Sequence, residues 1–149
     1  MSELKVQILD ATKAAMKARD KARLAVMRLI TADIKRVEVD ERRELTDDDV
    51  LSILNKMLKQ RQDAFQQYKD AQRTDLADQE AYEMEVVREF LPEPLSEDEL
   101  ASLIASIVES TGAAGMQDMG KVMGQVKTAA AGRADMGKVS QLVKAALQG

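Results

Sequence analysis

Residues 20–44 read DKARLAVMRLITADIKRVEVDERRE, and this stretch decides the fold class. Leu24, Met27, Ile30, Ile34 and Val37 return at three- and four-residue steps. That spacing keeps side chains on one side of an α-helix, whereas a strand has a period of two. At 1.5 Å per residue the helix runs for about 35 Å, and Leu45 ends it. The flanks repeat the pattern. Upstream, Leu4, Ile8, Ala11 and Ala15 mark one helical face within residues 1–19. Downstream, Thr46 precedes Asp47, Asp48 and Asp49: a hydroxyl that can cap free N–H groups, then carboxylates placed where the helix dipole favours negative charge. The third helix carries Val50, Leu54, Met57, Leu58, Phe65 and Tyr68. Thr74-Asp75 opens a fourth, with Leu76, Met84, Val87 and Leu91.

Pro92-Glu93-Pro94 breaks the series, because neither proline donates a backbone hydrogen bond and each disfavours helix in the residue before it. Ser96 and Glu99 then form a capping box. Three shorter helices follow, over roughly 96–110, 118–131 and 135–148, with Gly112 and Gly115 in the first connection and Gly132 in the second. The expectation is an all-α protein. Residues 1–93 form an N-terminal bundle of long helices and residues 94–149 a small three-helix domain.

Composition narrows the chemistry. The chain has no Cys, His or Trp, which excludes thiolate nucleophiles, sulfur-based zinc sites and every catalytic arrangement that uses histidine as base. The opening MSELKVQILDATKAAMKARDK interleaves charged and apolar residues, unlike a signal peptide or membrane span, so the expected location is the cytoplasm. The acidic runs at 47–49 and 97–99 follow good caps and point around the helix, which makes them helix-start acids and not metal ligands. With a net charge of −4, any nucleic-acid surface has to be local.

Two places could supply one. Asp118-Met119-Gly120-Lys121-Val122 recurs as Asp135-Met136-Gly137-Lys138-Val139. In each copy Asp caps a helix, Gly admits a close backbone and Val begins the buried stripe. The repeat reads as two matching caps packed across a helical hairpin. It also reads as a display of Lys121 and Lys138 at equivalent ends of neighbouring helices, forming an anion surface with Lys127, Arg133 and Lys144. Residues 112–149 hold these five cations against only Asp118 and Asp135. The second place is Lys21, Arg28, Lys35 and Arg42, spaced by seven. Such a row drifts about 20° per repeat and could track phosphates. Pairing with Asp20, Asp33, Glu38 or Glu41 would reduce it to an ordinary solvated face. Lys56, Lys59, Arg61 and Arg73 near Phe65 and Tyr68 are explained more simply by an amphipathic helix with its aromatics turned inward.

The tail DMGKVMGQVKTAAAGRADMGKVSQLVKAAL and the run RLITADIKRVEVDERRELTDDDVLSILNKMLKQRQDAFQQYKDAQRTDLADQEAYEMEVVREFLPEPLSEDEL resemble the YqeY-like family over nearly the whole chain. The resemblance implies an N-terminal helical domain and a three-helix domain similar to the tail of the B subunit of the tRNA-dependent glutamyl/aspartyl amidotransferase, which helps to hold tRNA. Asp118, Gly120, Lys121, Gly132, Arg133, Ala134, Asp135, Gly137, Val139 and Leu142 match the tail pattern, and Lys121, Arg133 and Lys138 are its expected contacts. The resemblance also implies a carbon–nitrogen ligase activity with glutamine as amide donor. The residues themselves supply neither a GxxxxGK[ST] phosphate loop nor a Gly/Ser-rich amidase segment with a lysine base. No catalytic residue, metal or cofactor is therefore assigned. The expectation is a bacterial, non-catalytic tRNA-handling adaptor, with tRNA and an amidotransferase or aminoacyl-tRNA synthetase as partners. The competing expectation is a protein–protein docking module for such an enzyme.

Overall fold

The computed structural model describes residues 2–130 and 133–148. It is all-α: α1 (Glu3–Lys17), α2 (Lys21–Glu41), α3 (Asp47–Asp70), α4 (Thr74–Arg88), α5 (Glu97–Thr111), a 3-10 turn at Met116–Asp118, α6 (Met119–Ala130) and α7 (Met136–Gln148). No strand occurs among the described residues. The chain divides into two compact units, Met1–Leu91 and Pro92–Gly149, whereas the sequence reading set the boundary after residue 93.

In the first unit, α1–α4 close around Ile8, Val26, Met27, Ile30, Ile34, Leu45, Val50, Leu54, Met57, Val86 and Val87. Burying a side chain of this kind stabilises the fold by about 1.5–3 kcal/mol. The helix starts are tied together. Ser2 caps α1 by accepting from the Lys5 N–H at 3.1 Å, and its hydroxyl donates to the Asp47 carboxylate. Asp47 also accepts from the Leu4 N–H at 3.1 Å, so a carboxylate on the first residue of α3 holds the beginning of α1. At the start of α3, Thr46 and Asp49 form a capping box, and Arg43 reaches Asp49 at 2.7 Å. The hydrogen bond from Arg43 is the main reason the Asp49 carboxyl lies well below its ordinary range.

Two elements end earlier than their apolar spacing predicts. α2 stops at Glu41 because Arg42 turns into the left-handed region, with φ 53° and ψ 42°. Glycine or asparagine usually marks such a cap, and here neither does. α4 stops at Arg88, and tight turns carry the chain on through Glu89, Phe90 and Leu91. No side chain caps the start of α4; instead Arg73 pairs with Asp75 at 3.2 Å.

The second unit has its own core of Leu100, Ile104, Ile107, Val122, Val126, Val139, Val143 and Leu147. The capping box of Ser96 and Glu99 opens α5, and Gly112, at φ 67°, closes it. Backbone bonds fix the helix directions. The Leu95 N–H donates to the Arg133 carbonyl at 2.8 Å, and Lys138 Nζ meets Glu97 Oε1 at 2.8 Å, so α5 and α7 start at the same end. The Arg133 N–H donates to the Ala130 carbonyl at 2.8 Å, so α6 finishes there. The three helices run up, down and up.

This arrangement corrects the reading of the repeat. Lys121 lies near the far end of α6, about 14 Å of helix from Ala130, and not beside Lys138. The two aspartates also differ in role. Asp135 accepts from the Gly137 N–H at 3.2 Å, as a cap does. Asp118 instead closes the 3-10 turn and accepts from the Ala114 N–H of the preceding loop at 3.0 Å. Nor do the repeat glycines admit a neighbouring backbone. A Cβ on Gly120 would meet nothing within 4 Å, and one on Gly137 would meet first the Asp135 side chain at 3.6 Å. Gly132, assigned to the second connection, lies outside the described residues.

Candidate nucleic-acid interface

The cations predicted for the tail are not gathered into one patch. Lys138 is bound to Glu97, and this hydrogen bond holds the Glu97 carboxyl below the usual range. Arg133 is half-buried, and its Nε donates to the Glu93 carbonyl at 2.8 Å. Beside it is an open groove of about 610 Å³, lined also by Asp98, Glu99, Ser102 and Leu103. Both residues thus sit among carboxylates at the start of α5. Lys121, Lys127 and Lys144 are exposed and make no ion pair among the described residues. Six residues separate Lys121 from Lys127, and Lys138 from Lys144. Each pair is therefore about 120° apart around its helix, which splits the two across different faces. α6 and α7 nevertheless contain four lysines and no acid.

The row on α2 fares differently. All four acids that could have neutralised it are engaged elsewhere. Asp20 caps α2 by accepting from the Arg23 N–H at 3.1 Å. Asp33 lies 3.7 Å from Arg36, Glu38 lies 2.7 Å from Lys5 on α1, and Glu41 lies 3.1 Å from Arg43. Lys21, Arg28, Lys35 and Arg42 remain exposed and form no ion pair among the described residues. Lys21, Arg28 and Lys35 stand about 10.5 Å apart along the helix direction, and Arg42 follows at the left-handed cap.

Sequence reasoning missed that α1 extends this face. Because Lys5 bonds to Glu38, these two residues mark the flanks through which α1 and α2 meet. At about 100° per residue, Lys13 lies about 80° round α1 from Lys5, turned away from buried Ile8. By the same step Lys35 lies about 60° and Arg28 about 80° round α2 from Glu38, turned away from buried Ile30. Lys13 and Lys17 are exposed and unpaired among the described residues. Between the two cationic rows, Leu9 and Met16 stay 36% and 53% exposed, with Val6 farther out on α1 at 39%. A signal for this second stripe was present in the sequence: Val6, Leu9, Lys13 and Met16 repeat the three–four spacing alongside Leu4, Ile8, Ala11 and Ala15.

In the other basic stretch Arg61 and Arg73 are held by ion pairs, while Lys56 and Lys59 stay exposed. Arg61 is half-buried with its Nε 3.2 Å from Glu83, although this contact lacks hydrogen-bond geometry. Phe65 and Tyr68 are half-buried, and the Lys69 ammonium lies 5.9 Å from the Phe65 ring centre. Tyr82 packs against the core of the first unit.

A family model described as Yqey-like protein matches residues 5–147. The chain belongs to the YqeY-like family. Among curated proteins, YqeY-like relatives of this chain include an uncharacterized protein of Schizosaccharomyces pombe, 32% identical over 62% of this chain and 72% of its own length. Two others are named altered inheritance of mitochondria protein 41, mitochondrial. The one from Pyrenophora tritici-repentis is 28% identical over 76% of this chain, and the one from Clavispora lusitaniae is 32% identical over 66%. This chain spans 64% and 56% of their respective lengths. These relatives are fungal, which does not fit the bacterial setting expected from the sequence; two carry a mitochondrial designation, so the relatives do not bear out the cytoplasmic location. Among the described residues, no helix is long and apolar enough to cross a membrane.

Proposed function

We propose that this YqeY-like protein is a non-catalytic adaptor that binds tRNA through its phosphate backbone, presenting it to an amidotransferase or aminoacyl-tRNA synthetase. The observation that carries the reading is the row Lys21, Arg28, Lys35 and Arg42, which makes no ion pair among the described residues while Asp20, Asp33, Glu38 and Glu41 each bond elsewhere. Unpaired cations, three of them evenly spaced on α2 and Arg42 at its cap, release counterions when they meet phosphates, which gives affinity without base readout. Lys121, Lys127 and Lys144 on the acid-free helices of the second unit add further backbone contacts. The principal contact therefore shifts from the tail repeat to the first unit.

The test is fluorescence anisotropy with labelled tRNA across a salt series, comparing the wild type with the triple variant Lys21→Gln, Arg28→Gln, Lys35→Gln. Losing three phosphate contacts removes about 2.7 from the slope of log K against log salt. On lowering salt from about 200 to about 50 mM, wild-type affinity should then rise about 40-fold more than that of the variant. Equal slopes would refute the reading. Protein partners that persist in nuclease-treated lysate, together with absent tRNA binding, would favour the docking-module alternative.

A further inference from the structure

The α1–α2 face has three lanes: Lys13 and Lys17 on one helix, exposed Leu9 and Met16 along the seam, and Lys21, Arg28 and Lys35 on the other helix. From this layout we infer that the first unit grips base-paired RNA across its minor groove. The inference rests on the RNA reading above and names the kind of RNA and the further residues that hold it.

The argument is one of shape and chemistry. Packed helices lie 8–10 Å apart, and cations turned about 60–80° from the contact flanks stand in two rows at about that separation. Two rows of cations separated in this way match two rows of phosphates flanking a broad groove. The minor groove of A-form RNA is wide and shallow and displays ribose, a surface that apolar side chains can touch. B-DNA offers a minor groove only about 6 Å wide and a major groove about 8.5 Å deep, the one too narrow and the other too deep for a shallow two-helix face to straddle productively. A single strand is an equally poor fit, since stacking platforms are aromatic. Phe65, Tyr68, Tyr82 and Phe90 are all half-buried on other elements. α2 contains no Asn or Gln to read adenine edges, so recognition is by shape and indifferent to sequence. Lys13 and Lys17 hold one strand, the α2 row holds the other, and Leu9 and Met16 lie against the sugars between them.

The experiment measures anisotropy of the full chain with a labelled RNA duplex, the DNA duplex of the same sequence and one RNA strand alone. The expected order is RNA duplex tightest, by about tenfold or more, which corresponds to about 1.4 kcal/mol. Lys13→Gln with Lys17→Gln should lower the salt slope on the RNA duplex by about two. Leu9→Gln with Met16→Gln should weaken RNA-duplex binding while leaving that slope unchanged. All four side chains are exposed, and unchanged thermal melting confirms that each variant is folded. Equal affinity for the DNA duplex or the single strand, or no effect of either double variant, overturns this inference and leaves the tRNA reading standing. Failure to bind tRNA as well as every oligonucleotide overturns both.

Discussion

Gly124 occupies the middle of α6 on an exposed face, and a Cβ placed there would meet nothing within 4 Å. Glycine in a helix interior is less favourable than alanine by about 0.8–1 kcal/mol, because its backbone loses more freedom on ordering. No contact in the second unit depends on its smallness. Gly124→Ala should therefore stabilise α6 by close to 1 kcal/mol. That corresponds to a slowing of amide exchange along α6 by up to about fivefold. It also corresponds to a rise of about 4–8 °C in the melting of a unit of this size. Hydrogen exchange read by mass spectrometry on the whole chain localises the gain to α6, while α1–α4 act as an internal reference. Unchanged or faster exchange in α6 would refute the reasoning, since it would mean that the glycine has a structural job that the open space around it does not reveal.

Burial, and after it the neighbouring Glu83, raise the Glu80 carboxyl above its ordinary value. The charged form therefore costs stability at neutral pH, and that cost disappears as pH falls below the raised value. Glu80→Gln should accordingly raise the melting temperature at about pH 7 and lose that advantage at about pH 4, by thermal scans of both proteins in matched buffers. Leu54 is fully buried in the first core, so Leu54→Ala should cost about 2–5 kcal/mol, seen as a lower urea midpoint for loss of helicity.

The helices were legible because their apolar residues recur with the helical period, and Ser96–Glu99 announced a cap that the fold uses. The end of α2 was hidden, because a left-handed arginine carries no sequence mark. Charge pairing was hidden for a different reason. Glu38 finds Lys5 thirty-three positions away and Arg23 finds Glu89 sixty-six away, choices made by packing and not by neighbours in sequence. That is why the ridge on α2 looked more easily neutralised than it is. The repeat misled in the opposite direction. Identical letters at two helix starts suggest a shared surface, yet α6 ends at the end of the unit where α7 begins, so the two copies open at opposite ends.

The shared carboxylate of Asp47 has a mechanical consequence. Ser2 and the Leu4 N–H both converge on it, while the first turn of α3 is held separately by the Thr46–Asp49 box, so the first turn of α1 can peel away only by giving up its anchor on α3. Fraying of α1 is thus opposed by a contact forty-five residues away in sequence, whereas α3 keeps its own cap when α1 lets go. A label on the first turn of α1 would report that release, and one on the first turn of α3 would stay silent.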